Sequence, residues 1–179
     1  MHFLQNHYDQ IIRYDLLNKY GKSNNFSQPV KIEINYINKA VNYKDLFTAM
    51  LALQIVTNQR SFFTRSKNSL VTVKIKKGDP IGCKVTLRKK KMTVFMETLI
   101  YRVFPKIKYF ENLKLKSSKQ KSCFDFSLIK LLQFAELEVN YRYFKNLKGI
   151  NVSISFNSGS WEHVAFMLMS YKFPVEIVR

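Results

Sequence analysis

The chain has 179 residues, 46% of them hydrophobic, and carries 30 Lys and Arg against 12 Asp and Glu, for a formal net charge of +18. That length and apolar content suit one domain with a buried core and exclude a globally disordered chain. Two cysteines, Cys83 and Cys123, cannot build a disulfide framework, no CxxC occurs, and no apolar run approaches the roughly 20 residues of a membrane span.

In chain order, residues 3–20 read as a helix with Leu4, Tyr8, Ile11, Ile12 and Leu16 on one face and Gly21 as its stop. Asp9 and Asp15 interrupt this opening segment. It therefore has neither the charged-then-apolar layout of a secretory signal nor the acid-poor look of a transit peptide. Residues 30–36 alternate with period two and predict a strand. Asn42 is set to cap a second helix, with Tyr43, Leu46, Met50 and Leu53 at helical spacing. A further extended region is expected over 61–76, where Val71, Val73 and Ile75 alternate, and Gly78-Asp79-Pro80 supplies a turn.

The clearest strand is 81–88, with Ile81, Cys83, Val85 and Leu87 toward the core and Gly82, Lys84, Thr86 and Arg88 on the polar side. A helix over about 90–104 buries Met92, Phe95, Leu99 and Val103 and is ended by Pro105. Residues 106–122 are lysine-rich and loop-like, 124–134 read as extended, and 150–155 alternate as a strand. Ser158 or Ser160 is positioned to cap a last helix through Trp161, Val164 and Leu168. The elements interleave without internal repeat, so the expectation is one α+β domain over 1–179 whose sheet has one basic, open face.

The position of the charge says more than its total. Residues 60–122 hold eighteen Lys and Arg against three acids (Asp79, Glu97 and Glu111), whereas the remainder holds twelve against nine. The abundance of Lys, Asn, Ile, Phe and Tyr beside five Gly and four Pro is the profile of an AT-rich coding genome. Codon drift of that kind spreads lysine evenly, so the concentration points to a positive surface for a polyanion. Nucleic acid is the first candidate and an anionic membrane surface the second.

Lys89, Lys90 and Lys91 stand where a helix begins. Cations there oppose the helix macrodipole by about 0.3–1 kcal/mol each, a cost that a bound phosphate reverses; a solvated surface run accounts for the triplet equally well. Cys83 reads as a core residue, and Trp161, Tyr141, Tyr143 and Phe144 as core or rim rather than base-stacking platforms. His2, His7 and His163 are scattered, and His163 beside Glu162 has no nucleophile at a recognisable spacing. No metal site, cofactor or enzymatic constellation is expected.

Across 78–92 the sequence GDPIGCKVTLRKKKM resembles the pattern G-x-P-I-G-C-K-V-T-L-R, followed shortly by Met, of a bacterial-type large-subunit ribosomal protein. That protein is the universal "L-five" family, which carries 5S rRNA. The resemblance covers nearly the whole chain, including His7-Tyr8, Lys31-Ile32 to Asn35, Thr57-Asn58-Gln59-Arg60, and Thr64, Lys67 and Ser69. It continues through PKIKYF at 105–110, Phe134-Ala135-Glu136-Leu137, Lys148-Gly149-Ile150 and Phe173-Pro174. Two departures stand out: the family's Asn-Met-Gly is Asn35-Tyr36-Ile37 here, and its glycine-rich Phe-Asp-Gly-Arg-Gly-Asn-Tyr has no counterpart around 122–126.

The resemblance implies an antiparallel sheet with helices on one face and an open RNA-binding face on the other. Carried over by position, Asn35, Gln59, Thr64, Thr86 and Arg88 contact 5S rRNA, with Arg60, Lys84, Lys89, Lys90 and Lys91 on other rRNA phosphates. The segment 66–82, with Lys67, Lys74, Lys76 and Lys77, corresponds to a loop that approaches the peptidyl-site tRNA. The implied partners are 5S rRNA, large-subunit rRNA, that tRNA, and ribosomal proteins including the small-subunit head, with no membrane. Divergence and AT-rich bias together suggest an organelle-encoded member in the mitochondrial matrix, with a bacterial cytoplasm or plastid as the alternative. The competing function is an electrostatic module that binds any RNA or anionic membrane without recognising 5S rRNA.

Overall fold

A computed structural model describes residues 3–21, 28–37, 42–69, 71–107, 113–116, 123–147, 149–157 and 161–178. Its strands are β1 (Pro29–Ile37), β2 (Phe62–Arg65), β3 (Pro80–Leu87), β4 (Leu113–Lys116), β5 (Cys123–Leu128), β6 (Ile150–Phe156) and β7 (Val175–Val178). Five of them form one antiparallel sheet in the order β2-β3-β1-β6-β5. Period-two alternation decides its faces. Ile32, Ile34 and Tyr36, Cys83, Val85 and Leu87, and Ile150, Val152 and Ile154 are all buried. The residues between them are half-buried or exposed, apart from the buried Gly82. The fold is thus α+β with one covered and one open sheet face.

Contacts gather the chain into two compact units, one of 1–32, 88–125 and 153–179, the other of 33–87 and 126–152. In the second unit, α3 (Tyr43–Thr57) packs on β3. Asn42 caps it as expected, its side chain accepting from the Lys44 N–H at 3.2 Å, and Asn58 stops it in the left-handed conformation. Leu46, Ala49, Ala52 and Leu53 form its buried stripe. Tyr43, assigned to that stripe by spacing, is exposed instead, because it sits in the first turn, before the helix closes on the sheet. The Cys83 thiol reaches the Leu46 carbonyl at 3.4 Å, and burial pushes its pKa up to about 11. Cys123 is exposed. Iodoacetamide at pH 8 is therefore expected to label Cys123 within minutes and Cys83 only on unfolding, as read by peptide mass.

In the first unit the N-terminal helix is α1 (Phe3–His7), a π-helical turn (Tyr8–Ile12) and α2 (Arg13–Tyr20), closed by Gly21 at φ +73. Its buried residues, Leu4, Tyr8, Ile12 and Leu16, recur every four positions. A pure α-helix advances about 40° per such step and would carry the stripe off its face. The wider π turn winds the other way and keeps the stripe aligned. Ile11, read from sequence as part of this face, is exposed. The same device recurs after α4 (Lys89–Thr98), where a π turn over Leu99–Val103 keeps Phe95, Leu99 and Val103 buried. Pro105 lies inside a closing 3-10 turn (Phe104–Lys106), so the helical path outlasts the proline.

Three further expectations are corrected. Residues 61–76 are extended only over Phe62–Arg65; Val71–Val73 form a 3-10 turn with Val71 89% exposed. β-branched alternation makes a strand only where a neighbour strand takes up its hydrogen bonds; Val71–Val73 find none among the described residues, and Ile75 makes only an isolated β-bridge. The lysine-rich stretch contains β4, paired in parallel with β7 from Leu113↔Val175 to Lys116↔Val178. The extended reading of 124–134 holds only to Leu128, after which Leu131–Gln133 makes a 3-10 turn. The short helices α5 (Ala135–Glu138) and α6 (Tyr141–Phe144) follow, with Tyr141 and Tyr143 exposed and Phe144 buried. The last helix, α7, spans Trp161–Ser170, and its expected caps Ser158 and Ser160 lie outside the described residues.

Candidate nucleic-acid interface

In the second unit the open face is built from alternate residues of β1, β3 and β2. Glu33 and Asn35 on β1, Gly82, Lys84 and Thr86 on β3, and Phe62 and Thr64 on β2 share it. Register brings Phe62 opposite Lys84 and Thr64 opposite Gly82. The pairing then jumps to Arg65↔Pro80, leaving Ile81 as the extra residue of a bulge. A Cβ on Gly82 would run into the Tyr36 carbonyl oxygen and lie 2.8 Å from Thr64 Oγ1. No side chain stands at that point, so the middle of the face is a shallow floor with hydroxyl and amide groups around it.

The face is polar rather than basic. Its strand positions in this unit carry one cation and one carboxylate, and these are paired: Lys84 Nζ meets Glu33 Oε2 at 2.7 Å. Both side chains keep some solvent access, so the pair contributes about 0–1 kcal/mol to stability. Its larger effect is to neutralise Lys84 on the strand position opposite Phe62, whose side chain is 65% exposed.

Gln59 and Arg60 come from the turn after α3. Thr57 Oγ1 donates to the Leu53 carbonyl at 2.7 Å, Ser61 Oγ to Met50 O at 3.0 Å, and Gln59 Nε2 to Thr86 O at 2.9 Å. Gln59 therefore ties the turn to β3 and spends an amide donor doing so, while Arg60 is thrust into solvent.

The loop 66–79 is closed at its base. The Ser66 N–H donates to Asp79 O at 2.8 Å, the Gly78 N–H to Ser66 O at 3.0 Å, and the Lys76 N–H to Asp79 Oδ2 at 2.8 Å. Ile75 is buried and anchors the loop, and Lys74 adopts φ +54, which turns the chain. Lys67, Lys74, Lys76 and Lys77 are all exposed. The loop thus presents separate cations from a fixed stem.

In the first unit, Arg88 is the N-cap residue of α4 and makes no side-chain cap; the first turn contains no acid. Lys89, Lys90 and Lys91 are exposed, and Lys89 sits at φ +50, a left-handed conformation that costs a non-glycine residue free energy. An uncapped helix start crowded with cations is an arrangement that an anion stabilises.

Strand parity points to Lys84 and Thr86 and the family resemblance to Asn35 and Thr64, while Glu33 and Phe62, which share the same alternation, are singled out by neither. Finding those two needs the strand register, since the pair Lys84–Glu33 joins residues fifty-one positions apart.

The profile of the C-terminal part of the ribosomal L5 family matches residues 80–175. The chain is 31% identical to the large ribosomal subunit protein uL5m of Reclinomonas americana over 180 residues, covering 98% of each. It is 28% identical to the uL5 of Blochmanniella floridana, covering 97% of this chain and 92% of that one. With the uL5 of Prochlorococcus marinus it shares 30% identity over 176 residues, 96% of this chain and 97% of the other.

Proposed function

Because the chain belongs to the L5 family of large-subunit ribosomal proteins and is a structural constituent of that subunit, not an enzyme, we propose that its open sheet face binds 5S rRNA. The observation that carries this reading is the convergence of Asn35, Thr64 and Thr86 on one face over the side-chain-free floor at Gly82. Amides and hydroxyls can read 2′-hydroxyl groups and base edges of a folded RNA, and the exposed Phe62 ring can stack on an unpaired base. Gln59 supports the face by tying its turn to Thr86, and Arg88 offers a two-pronged phosphate contact. Arg60, Lys84 and Lys89–Lys91 meet further rRNA phosphates in this reading.

Lys67, Lys74, Lys76 and Lys77 on the stem-fixed loop approach the peptidyl-site tRNA. Phosphate contacts of that sort position without selecting sequence, as acceptance of every tRNA requires. The whole chain, 1–179, acts as one ribosomal protein domain that also contributes to the bridge with the small-subunit head. The AT-rich composition and the similarity to the uL5m of Reclinomonas americana support the mitochondrial matrix as its location, with a bacterial cytoplasm or plastid as the alternative.

Competition binding tests the reading. Labelled 5S rRNA bound to the full chain at about 150 mM salt should resist a roughly tenfold mass excess of unrelated RNA or of anionic phosphatidylglycerol vesicles. Equal competition by either would reduce the face to an electrostatic surface. Glu33→Gln removes the one carboxylate on this part of the face and releases Lys84; it is expected to tighten 5S rRNA binding about two- to fivefold, measured by filter binding.

A further inference from the structure

Two exposed features of the second unit meet at one edge of its sheet. The first is on α3. Tyr43, Phe47, Leu51 and Ile55 recur every four residues outside the buried stripe, forming a ridge about 18 Å long. Phe63 of β2 continues it, its ring meeting that of Phe47 edge-on with centroids 5.5 Å apart. These five side chains are each between 38% and 55% exposed. Single exposed hydrophobes are ordinary, whereas a joined row of large ones marks a contact surface.

The second feature is β2 itself. It ends the five-stranded sheet and, among the described residues, pairs with β3 alone. Backbone donors and acceptors along its outer side form a template for another strand. Edges are commonly guarded by charge or proline, yet β2 reads Phe-Phe-Thr-Arg, with Arg65 as its one charge. Alternation puts Phe63 and Arg65 on the side that faces α3, and both are exposed.

Chemistry selects the occupant. In a chain of net charge +18, α3 carries only Lys44 and Asp45, which balance. A neutral, apolar ridge offers phosphates nothing, so RNA does not suit it. A strand edge is completed by extended polypeptide, and Arg65 beside Phe63 attracts a carboxylate. We propose that β2 receives an extended segment of a second protein as a further strand of the sheet. Its apolar residues alternate onto Phe63 and the α3 ridge, and a carboxylate on the same side meets Arg65.

The full chain tests this without any RNA, so the outcome is independent of the 5S rRNA reading. The probe is a fluorescein-labelled peptide of alternating Val and Glu, roughly eight residues long, within the usual range for a strand. At about 150 mM salt, where exposed charges are screened, it should bind, and a peptide of equal composition with its Val and Glu in separate blocks should not. Hydrogen exchange at the amides of Phe62–Arg65 should slow in the complex. Arg65→Glu should weaken binding about three- to tenfold and shift preference to an alternating Val-Lys peptide. Leu51→Asp, at an exposed position of the ridge, should weaken it as well. In purified large subunits, p-benzoylphenylalanine in place of Phe63 should crosslink to a different protein, through a segment in which apolar and acidic residues alternate. Equal binding of the block peptide, exchange unchanged at β2, or a crosslink from position 63 to RNA or to a second copy of this chain overturns the proposal.

Discussion

Gly82→Ala is expected to destabilise the protein by about 3 kcal/mol, the upper part of the range for overpacking, and to lower its melting temperature by about 6–12 °C. The reason lies in which atom the new methyl meets. It would press on the Tyr36 carbonyl of the neighbouring strand, which is backbone and cannot rotate away, and on Thr64 Oγ1. Relief requires β1 and β3 to separate in the middle of the sheet, breaking ladder hydrogen bonds between them. Gly78→Ala is the matched control: Gly78 has φ +94 but nothing within 4 Å of its added Cβ. Its cost is expected to stay near about 1 kcal/mol, the conformational penalty alone. Thermal melts of the two variants followed by circular dichroism separate close approach from backbone strain. Equal melting temperatures would mean that β1 yields at Tyr36.

Replacing Lys89 and Lys90 together by Gln is expected to move stability and RNA binding in opposite directions. Both lysines are exposed at the start of a helix that has no acid in its first turn and no side-chain cap. Removing two cations from the positive end of the macrodipole should stabilise the free protein by about 0.6–2 kcal/mol. The same change removes two phosphate partners. Affinity for rRNA should fall on the order of tenfold or more at low salt, and the dependence of log K on log salt should flatten by about 0.7–0.9 per lost contact. Denaturant titration and filter binding over a salt series read the two effects. A variant with lower stability, or with unchanged salt dependence, would mark the run as an ordinary solvated surface.

How far the chain could be read before folding depended on whether its signals were local. Period two along 30–36, 81–88 and 150–155 needs only neighbours in sequence, and on 81–88 it places Lys84 and Thr86 opposite the buried Cys83, Val85 and Leu87. The Asn42 cap is local too. What failed depends on distant partners. Leu113-Lys114-Leu115-Lys116 alternates, yet only pairing with Val175–Val178 makes it a strand. Val71 and Val73 alternate equally well and find no partner strand among the described residues. The two π turns were hidden because their cause is a four-residue burial spacing that spans several turns. At the candidate interface, the resemblance implies an RNA contact for Gln59, and the fold adds a role only the distant strand reveals: its Nε2 donates to Thr86 O and ties the turn to β3. The open face was expected to be basic; pairing of Lys84 with Glu33 makes it neutral there, and the exposed cations stand on the turn, the loop and the start of α4.

The central claim is that the face bearing Thr86, with Arg88 at the end of its strand, recognises 5S rRNA. Crosslinking and sequencing of RNA bound to the protein in purified large subunits tests it most directly, comparing wild type with the double variant Thr86→Ala/Arg88→Ala. The account predicts that 5S rRNA dominates the wild-type crosslinks and is lost from the double variant while crosslinks to large-subunit rRNA persist. Recovery of large-subunit rRNA alone from wild type, or 5S rRNA crosslinks that survive both substitutions, would contradict it.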